Sequence, residues 1–315
     1  MGAIVGSAAR DATRDGRTAS GHTCRVAKSK KKRPLSFRER LTVPAGPVDL
    51  ASYDTRAKPG FSGDKKRGKA ALYAMGDDLS DLQERLFAEG MTGGHRSVLL
   101  VLQGMDTSGK GGIVRHALAL VDPQGVHNKA FKAPTRAEKR HDFLWRVERE
   151  LPKPGIIGVF DRSHYEDVLV AKVDGVAPAD EIARRYDEIN AFEKRLVDDG
   201  TVVVKCRLHI SAEEQKKRLL ARLAQADKLW KFDPGDVDAR RAWPAYQDAY
   251  EIAIEKTNTD HAPWLIVPGD RKWYRNLAVA QVLKETLTAM DPSWPGPDYD
   301  VKEQRRRLRD EAPIG

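Results

Sequence analysis

The segment QGMDTSGKGG, residues 103–112, carries the frame G-x-x-x-x-G-K at Gly104, Gly109 and Lys110, directly after an apolar run and directly before a stretch with helical patterning. A strand, a loop and a helix in that order are the setting in which this frame holds phosphate. Gly104 and Gly109 permit the backbone turns that aim successive N–H groups at phosphate oxygens, the helix start adds its positive end, and Lys110 supplies a point charge. Met105, Thr107, Ser108 and Gly111 complete the backbone around the anion. Two features depart from the usual loop. Gly111 stands where a hydroxyl would ligate Mg²⁺, and Asp106 puts a carboxylate among phosphates. At about 4 Å from a phosphate oxygen that carboxylate is repelled by roughly 4 kcal/mol at an effective dielectric of 20, so it is tolerable if a cation lies between. Metal binding is the preferred role for Asp106; orienting the acceptor, or capping the helix that follows, are the alternatives.

A second candidate group lies in GIIGVFDRSHYEDVLV, where Asp161 ends an apolar run. In phosphate-loop enzymes a carboxylate at the end of the neighbouring strand holds Mg²⁺, although an aspartate there also serves as a helix cap. Arg162 can bridge phosphate oxygens with its planar fork. Glu166 and Asp167 fit an acceptor or metal shell, or equally the first turn of the next helix. His164 fits a pocket wall better than a metal site, because no second histidine stands at ligand spacing.

These residues need a scaffold that brings two strand ends together. The β-rich runs 97–104, 155–163, 201–210 and 263–270 are apolar without strict alternation, and helical patterns occupy 109–121, 136–150, 179–199 and 271–290. Continuous apolar strands separated by helices predict a doubly wound α/β domain around a parallel sheet. Upstream, 41–68 reads as an extended lead-in, and Leu72, Met75, Leu79, Leu82 and Leu86 predict one helix that stops at Gly90. Residues 211–262 are too many for a plain crossover and predict a mobile helical lid. The expected organisation is a disordered basic tail over 1–40, a lead-in and helix over 41–96, the α/β domain over 97–290 and a C-terminal tail over 291–315.

Charge excludes less than it first suggests. The net charge is +9, yet residues 1–40 hold 11 Lys and Arg against 3 Asp and Glu, leaving +1 for the remainder. The basicity belongs to the tail and gives no reason to expect specific nucleic-acid binding. Cys24 and Cys206 form no metal or disulfide framework, and no apolar run approaches a membrane span, so a soluble, cytoplasmic protein is expected.

In order along the chain, VLLVLQGMDTSGKGG, VDPQGV, FKAPT, HDFLWR, GVFDRSHYEDVLV, WKFDPGD, TDHAPW and VPGDRKWYRN resemble the blocks of the polyphosphate kinase 2 family, from about residue 37 to 308. The resemblance implies a thymidylate-kinase-like phosphate-loop (P-loop) kinase fold with a helical lid. It also implies Mg²⁺, with Mn²⁺ as a substitute, and a homo-oligomer, dimer or tetramer. The implied reaction moves the terminal phosphoryl group of inorganic polyphosphate to a nucleoside di- or monophosphate, reversibly. Asp106 and Asp161 match the acidic positions associated with metal and catalysis, and Lys110 and Arg162 the phosphate-binding ones. Arg115, Lys129 and Lys132 are further phosphate-binding candidates. So are Arg222 and Lys231 in a lid segment whose basic residues, Lys205, Arg207 and Arg218 among them, exceed its acidic ones by five over 205–231. Trp230 stacks on a base or packs in a core, and Asp270, Lys272 and Arg275 contact nucleotide or phosphate unless they only start a helix. The rivals are an ATP-dependent nucleoside monophosphate or other small-molecule kinase, and a polyanion- or RNA-binding module that uses the tail.

Overall fold

A computed structural model of the chain describes residues 35–311, so Cys24 and the basic stretch 28–34 lie outside the described residues. The expected tail boundary near residue 40 falls too late. Ser36 and Glu39 form a reciprocal capping box that starts helix α1 (Phe37–Leu41), and Leu41 is buried. The single helix expected next is two, α2 (Lys65–Ala74) and α3 (Gly76–Met91), divided at Met75 just before Gly76, and the second runs through Gly90.

The central unit then alternates strand and helix. Strand β1 (Ser97–Gln103) leads to α4 (Lys110–His116), β2 (Val126–Ala130) to the short α5 (Trp145–Glu148), and β3 (Ile157–Asp161) to α6 (Glu166–Val173) and α7 (Ala179–Asp198). Strand β4 (Thr201–His209) is followed by α8 (Ala212–Leu223), α9 (Gly235–Arg241) and α10 (Trp243–Thr257), and β5 (Trp264–Pro268) by α11 (Lys272–Met290) and α12 (Val301–Asp310). All pairings among the five strands are parallel, in the order β2-β3-β1-β4-β5. The unbroken apolar run of β1 serves two cores by strand parity. Val98, Leu100 and Leu102 pack with α2, α3, α4 and α11, while Leu99 and Val101 pack with α6, α7 and α10.

Strand β2 has no counterpart among the four expected apolar runs, because VHNKA is an edge strand left partly exposed and so needs no such run. The helix expected over 136–150 reduces to one turn at Glu138–Arg140 and to α5: Thr135 and Glu138 cap each other, and Asp142 accepts from Leu144 N at 2.9 Å in a turn that ends the path. The lid expected over 211–262 is shorter too. Ala249, Tyr250, Ala253 and Ile254 of α10 are buried in the core against α6 and α7, so the outlying part ends near residue 242. Trp230, at 78 % exposure, is no core residue.

His209, at the end of β4, is 6 % exposed and its Nδ1 has no partner. Burial, reinforced by Arg207, pushes its pKa down to about 4. The fold therefore holds the neutral ring, and its contribution is complete above the unfolded value near 6.5 and is lost as pH falls from there towards 4. Replacing His209 by Gln should flatten the acid limb of a stability-against-pH curve by about 3 kcal/mol; parallel curves for the two proteins would refute this.

Candidate active site

Register determines which groups meet. Leu102 lies opposite Asp161 and Gln103 opposite Arg207, so the loop leaving β1 rises beside the end of β3. Gly104 has no room for a Cβ, which would approach Ser108 Oγ to 2.7 Å and Leu208 O to 2.9 Å. Gly109 takes φ 108°, and a Cβ there would overlap the Arg275 guanidinium, so glycine is required twice over. Thr107 also sits in the left-handed region, at φ 66°, as does Arg162 at φ 64°. Non-glycine residues adopt that conformation only when their surroundings hold them in it. Lys110 is 7 % exposed; its Nζ donates to Gly104 O at 2.9 Å and stands 4.0 Å from Asp161 Oδ1.

The carboxylate inside the loop has a cation of its own. Arg162 Nη2 donates to Asp106 Oδ1 at 2.6 Å. Burial by itself would raise the Asp106 pKa, but Lys110 and Arg162 outweigh it and hold the group below the usual carboxylate range, while Arg162 is held firmly protonated. Helix capping drops out: the N-cap positions are Gly109 for α4 and Tyr165 for α6, neither with a side-chain cap, so neither Asp106 nor Asp161 caps the helix after it. Gly111 faces open space, so packing does not forbid a hydroxyl there.

A divalent ion fits these donors on its own terms. Among the described residues no three His, Cys, Asp or Glu side chains cluster as a ready-made cage. Mg²⁺ does not need one, since it is commonly held by one or two carboxylates with phosphate oxygens and water completing the shell. Asp106 and Asp161 supply such a pair beside a phosphate loop. The hydroxyls of Thr107 and Ser108 are buried there without partners.

A cavity of about 650 Å³ opens beside Arg162 and Glu166. Its walls include Phe131, Lys132, Phe143, Arg146 and Arg185, which join apolar faces to several cations. Arg146 is 7 % exposed; it donates to Lys132 O at 2.7 Å and to Asp167 Oδ2 at 3.0 Å, so Asp167 is a paired wall residue. Glu166 is shifted upward by burial, which Arg162 and Lys110 only partly offset and Asp106 reinforces. With its amide turned to donate, Gln103 reaches Glu166 Oε1 at 3.0 Å. His164 is fully buried against Glu193 and Phe192, beneath the site and away from its surface.

The structure thus gathers Gly104, Met105, Asp106, Thr107, Ser108, Gly109, Lys110, Gly111, Asp161, Arg162 and Glu166 at the carboxyl ends of the inner strands β1 and β3, with Lys132 and Asp167 in the cavity wall. Other candidates have different partners. Lys129 is ion-paired with Glu150, and Arg115 is exposed in the last turn of α4. Asp270 accepts from Ser211 N, Ser211 Oγ and Thr55 Oγ1 at 2.9–3.0 Å, which ties the lead-in to the start of α8. Lys272 is exposed, and Arg275 lies behind the loop, donating to Ser108 O at 2.8 Å. Arg222 reaches Asp236 at 3.4 Å, and Lys231 stands over the Trp230 ring. Lys205 and Arg207 do not belong to an open basic face. Lys205 is fully buried with Glu193 at 2.6 Å, and Arg207 is buried over Tyr250. Their position inside an apolar strand run was the signal for that.

Sequence reading passed over Gln103, Arg146 and Asp236. Each stood only inside a longer block, Gln103 in VLLVLQGMDTSGKGG, Arg146 in HDFLWR and Asp236 in WKFDPGD, with no role of its own. Asp236, 8 % exposed on α9, comes against Asp106, and no spacing rule connects residues so far apart.

The family model for polyphosphate kinase 2 matches residues 62–295. The chain belongs to the polyphosphate kinase 2 family. Relatives include an AMP/ADP-polyphosphate phosphotransferase of Meiothermus ruber, 42 % identical over 255 residues, spanning 81 % of this chain and 94 % of that one. An ADP-polyphosphate phosphotransferase of Rhodopseudomonas palustris is 39 % identical over 260 residues, spanning 79 % and 88 %. The crystal structure of polyphosphate kinase 2 from Arthrobacter aurescens TC1 superposes with a TM-score of 0.85 at 50 % identity and covers 88 % of this chain and 98 % of that one. In this polyphosphate kinase 2 family member the parallel sheet with flanking helices is a P-loop kinase fold, as expected from the motifs.

Proposed function

We propose that the protein transfers the terminal phosphoryl group of inorganic polyphosphate to a nucleoside di- or monophosphate, ADP to ATP and AMP to ADP, and that the reaction runs in both directions. The observation that carries this reading is the convergence of Lys110, Asp106, Asp161 and Arg162 at adjacent strand ends, open to a cavity with cationic walls. The names of the relatives from Meiothermus ruber and Rhodopseudomonas palustris support the same donor and acceptors.

The loop N–H groups and Lys110 hold the donor end, and Arg162 lies where the transferred group passes, shared between that group and Asp106. The cavity receives the acceptor, with Arg162 and Arg146 facing its phosphates. An acceptor phosphate oxygen forms the new P–O bond as the terminal P–O–P bridge of polyphosphate breaks, and the electron pair leaves with the shortened chain. An acceptor phosphate with a last pKa of about 6 is already an oxyanion at neutral pH, so no side chain has to remove a proton. Asp106 and Asp161 would hold Mg²⁺ or Mn²⁺, which supplies neutralising charge for the phosphate oxygens. We further assign the protein to the cytoplasm and to a homo-oligomer; no helix of the described residues is long and apolar enough to cross a membrane.

Incubating the full chain with ADP, Mg²⁺ and long-chain polyphosphate should yield ATP. No ATP from that mixture, together with turnover of ATP and a small acceptor, would establish the ATP-dependent kinase instead.

A further inference from the structure

The phosphate loop is held from behind by the stem of the lid. All five N–H groups of Arg218, on α8, are engaged. Nε donates to Glu214 Oε1 at 2.8 Å, Nη1 to Thr107 O at 2.9 Å and Ser108 O at 3.1 Å, and Nη2 to Gly269 O at 2.7 Å and Asp270 O at 3.1 Å. One turn earlier, Gln215 Nε2 donates to Asp106 O at 3.2 Å. The carbonyls of residues 106, 107 and 108 are therefore all pinned by α8.

A trans peptide is planar, with its C=O and N–H pointing to opposite sides. Pinning those carbonyls sets the N–H groups of Thr107 and Gly109 on the other side, towards the phosphates, while the Ser108 N–H closes the turn by donating to Met105 O at 3.0 Å. Thr107 needs such a hold, since its left-handed backbone is unfavourable for a residue with a Cβ. The site is also electrically unbalanced behind the loop. Arg218 and Arg275 both donate to Ser108 O, and burial, with repulsion from Arg218 added, disfavours the Arg275 charge. Glu214 is the carboxylate paired with Arg218. An anion on the far side of the loop relieves that excess of positive charge.

We infer that Arg218 is a positioning residue for phosphoryl transfer: from the lid stem it aims the loop N–H groups at the polyphosphate end, so seating of α8 and donor binding are coupled. This rests on the reading that polyphosphate is the donor. Lysine cannot take its place, because one ammonium cannot reach the acceptors of two loops as a planar fork does.

The test is steady-state kinetics of the full chain with ADP and polyphosphate, alongside thermal melting. Arg218→Ala should lower kcat about 100-fold and raise KM for polyphosphate severalfold, with KM for ADP within about threefold of wild type, the pattern of a lost donor-side transition-state contact. Arg218→Lys should recover less than about tenfold, whereas guanidinium ion at tens of millimolar should restore Arg218→Ala by about tenfold or more. A merely structural arginine would lower the melting temperature without this split and without rescue. Should Arg218→Ala fail to fold, Gln215→Leu, which removes only the tie to Asp106 O, should show the same split at about tenfold. Wild-type kcat, or equal effects on both KM values, would overturn the inference. If the wild type makes no ATP from polyphosphate, the donor assignment falls, and the same variants measured with ATP as donor still decide the loop-positioning role.

Discussion

Lys110→Met lowers turnover of ADP with polyphosphate by about two to three orders of magnitude while the protein stays folded, an effect of the size seen when a preorganised electrostatic contact to a transition state is removed. The side chain is buried, its Nζ pinned by Gly104 O at 2.9 Å and kept near Asp161 at 4.0 Å. A lysine held that way contributes little reorganisation cost when charge builds on the transferred phosphoryl group. Methionine keeps most of the stem packing and loses the charge, so melting temperature should change little. Initial rates and a thermal melt check both halves, and turnover within about threefold of wild type would remove Lys110 from the site.

Asp106→Asn is expected to cost about 100-fold or more, and its Mg²⁺ dependence decides how the carboxylate acts. A change that preserves shape and removes one negative charge has two separable consequences here. If Asp106 ligates the ion, the Mg²⁺ concentration for half-maximal rate rises and excess Mg²⁺ restores part of the activity. If Asp106 instead acts by holding Arg162, through their 2.6 Å bond, the Mg²⁺ profile stays where it is and the loss appears in kcat alone. Since Lys110 and Arg162 keep the Asp106 pKa low, the group is ionised throughout the neutral range, and the contrast between Asp and Asn should persist from pH 6 to 9. Full activity of Asp106→Asn would dismiss both roles.

Local patterns carried most of the scaffold. The apolar runs that became β1, β3, β4 and β5 and the helical pattern over 179–199 that became α7 are short-range signals, readable because periodicity and burial are linked by geometry. Strand β2 was hidden because an edge strand can be polar. The lid was overestimated because 211–262 was read as one segment by its length, although α10 within it carries the core residues Ala249, Tyr250, Ala253 and Ile254. Counting cations over 205–231 grouped Lys205 and Arg207, which are core, with Arg218, which braces the loop, and with exposed lysines. Charge in a sequence has a sign and no depth.

What the amino-acid order determined unaided is the phosphate-loop frame, the acidic strand end that follows it, the α/β class and the family, since each is encoded within some twenty contiguous residues or by the order of such blocks. Tertiary structure alone decided that Asp106 meets Arg162 from 56 residues away, that Arg218 holds the loop from 111 residues away, and that Arg146 walls the cavity. Those pairings depend on strand order and register, which bring distant chain ends within hydrogen-bonding distance, and no local pattern carries that information.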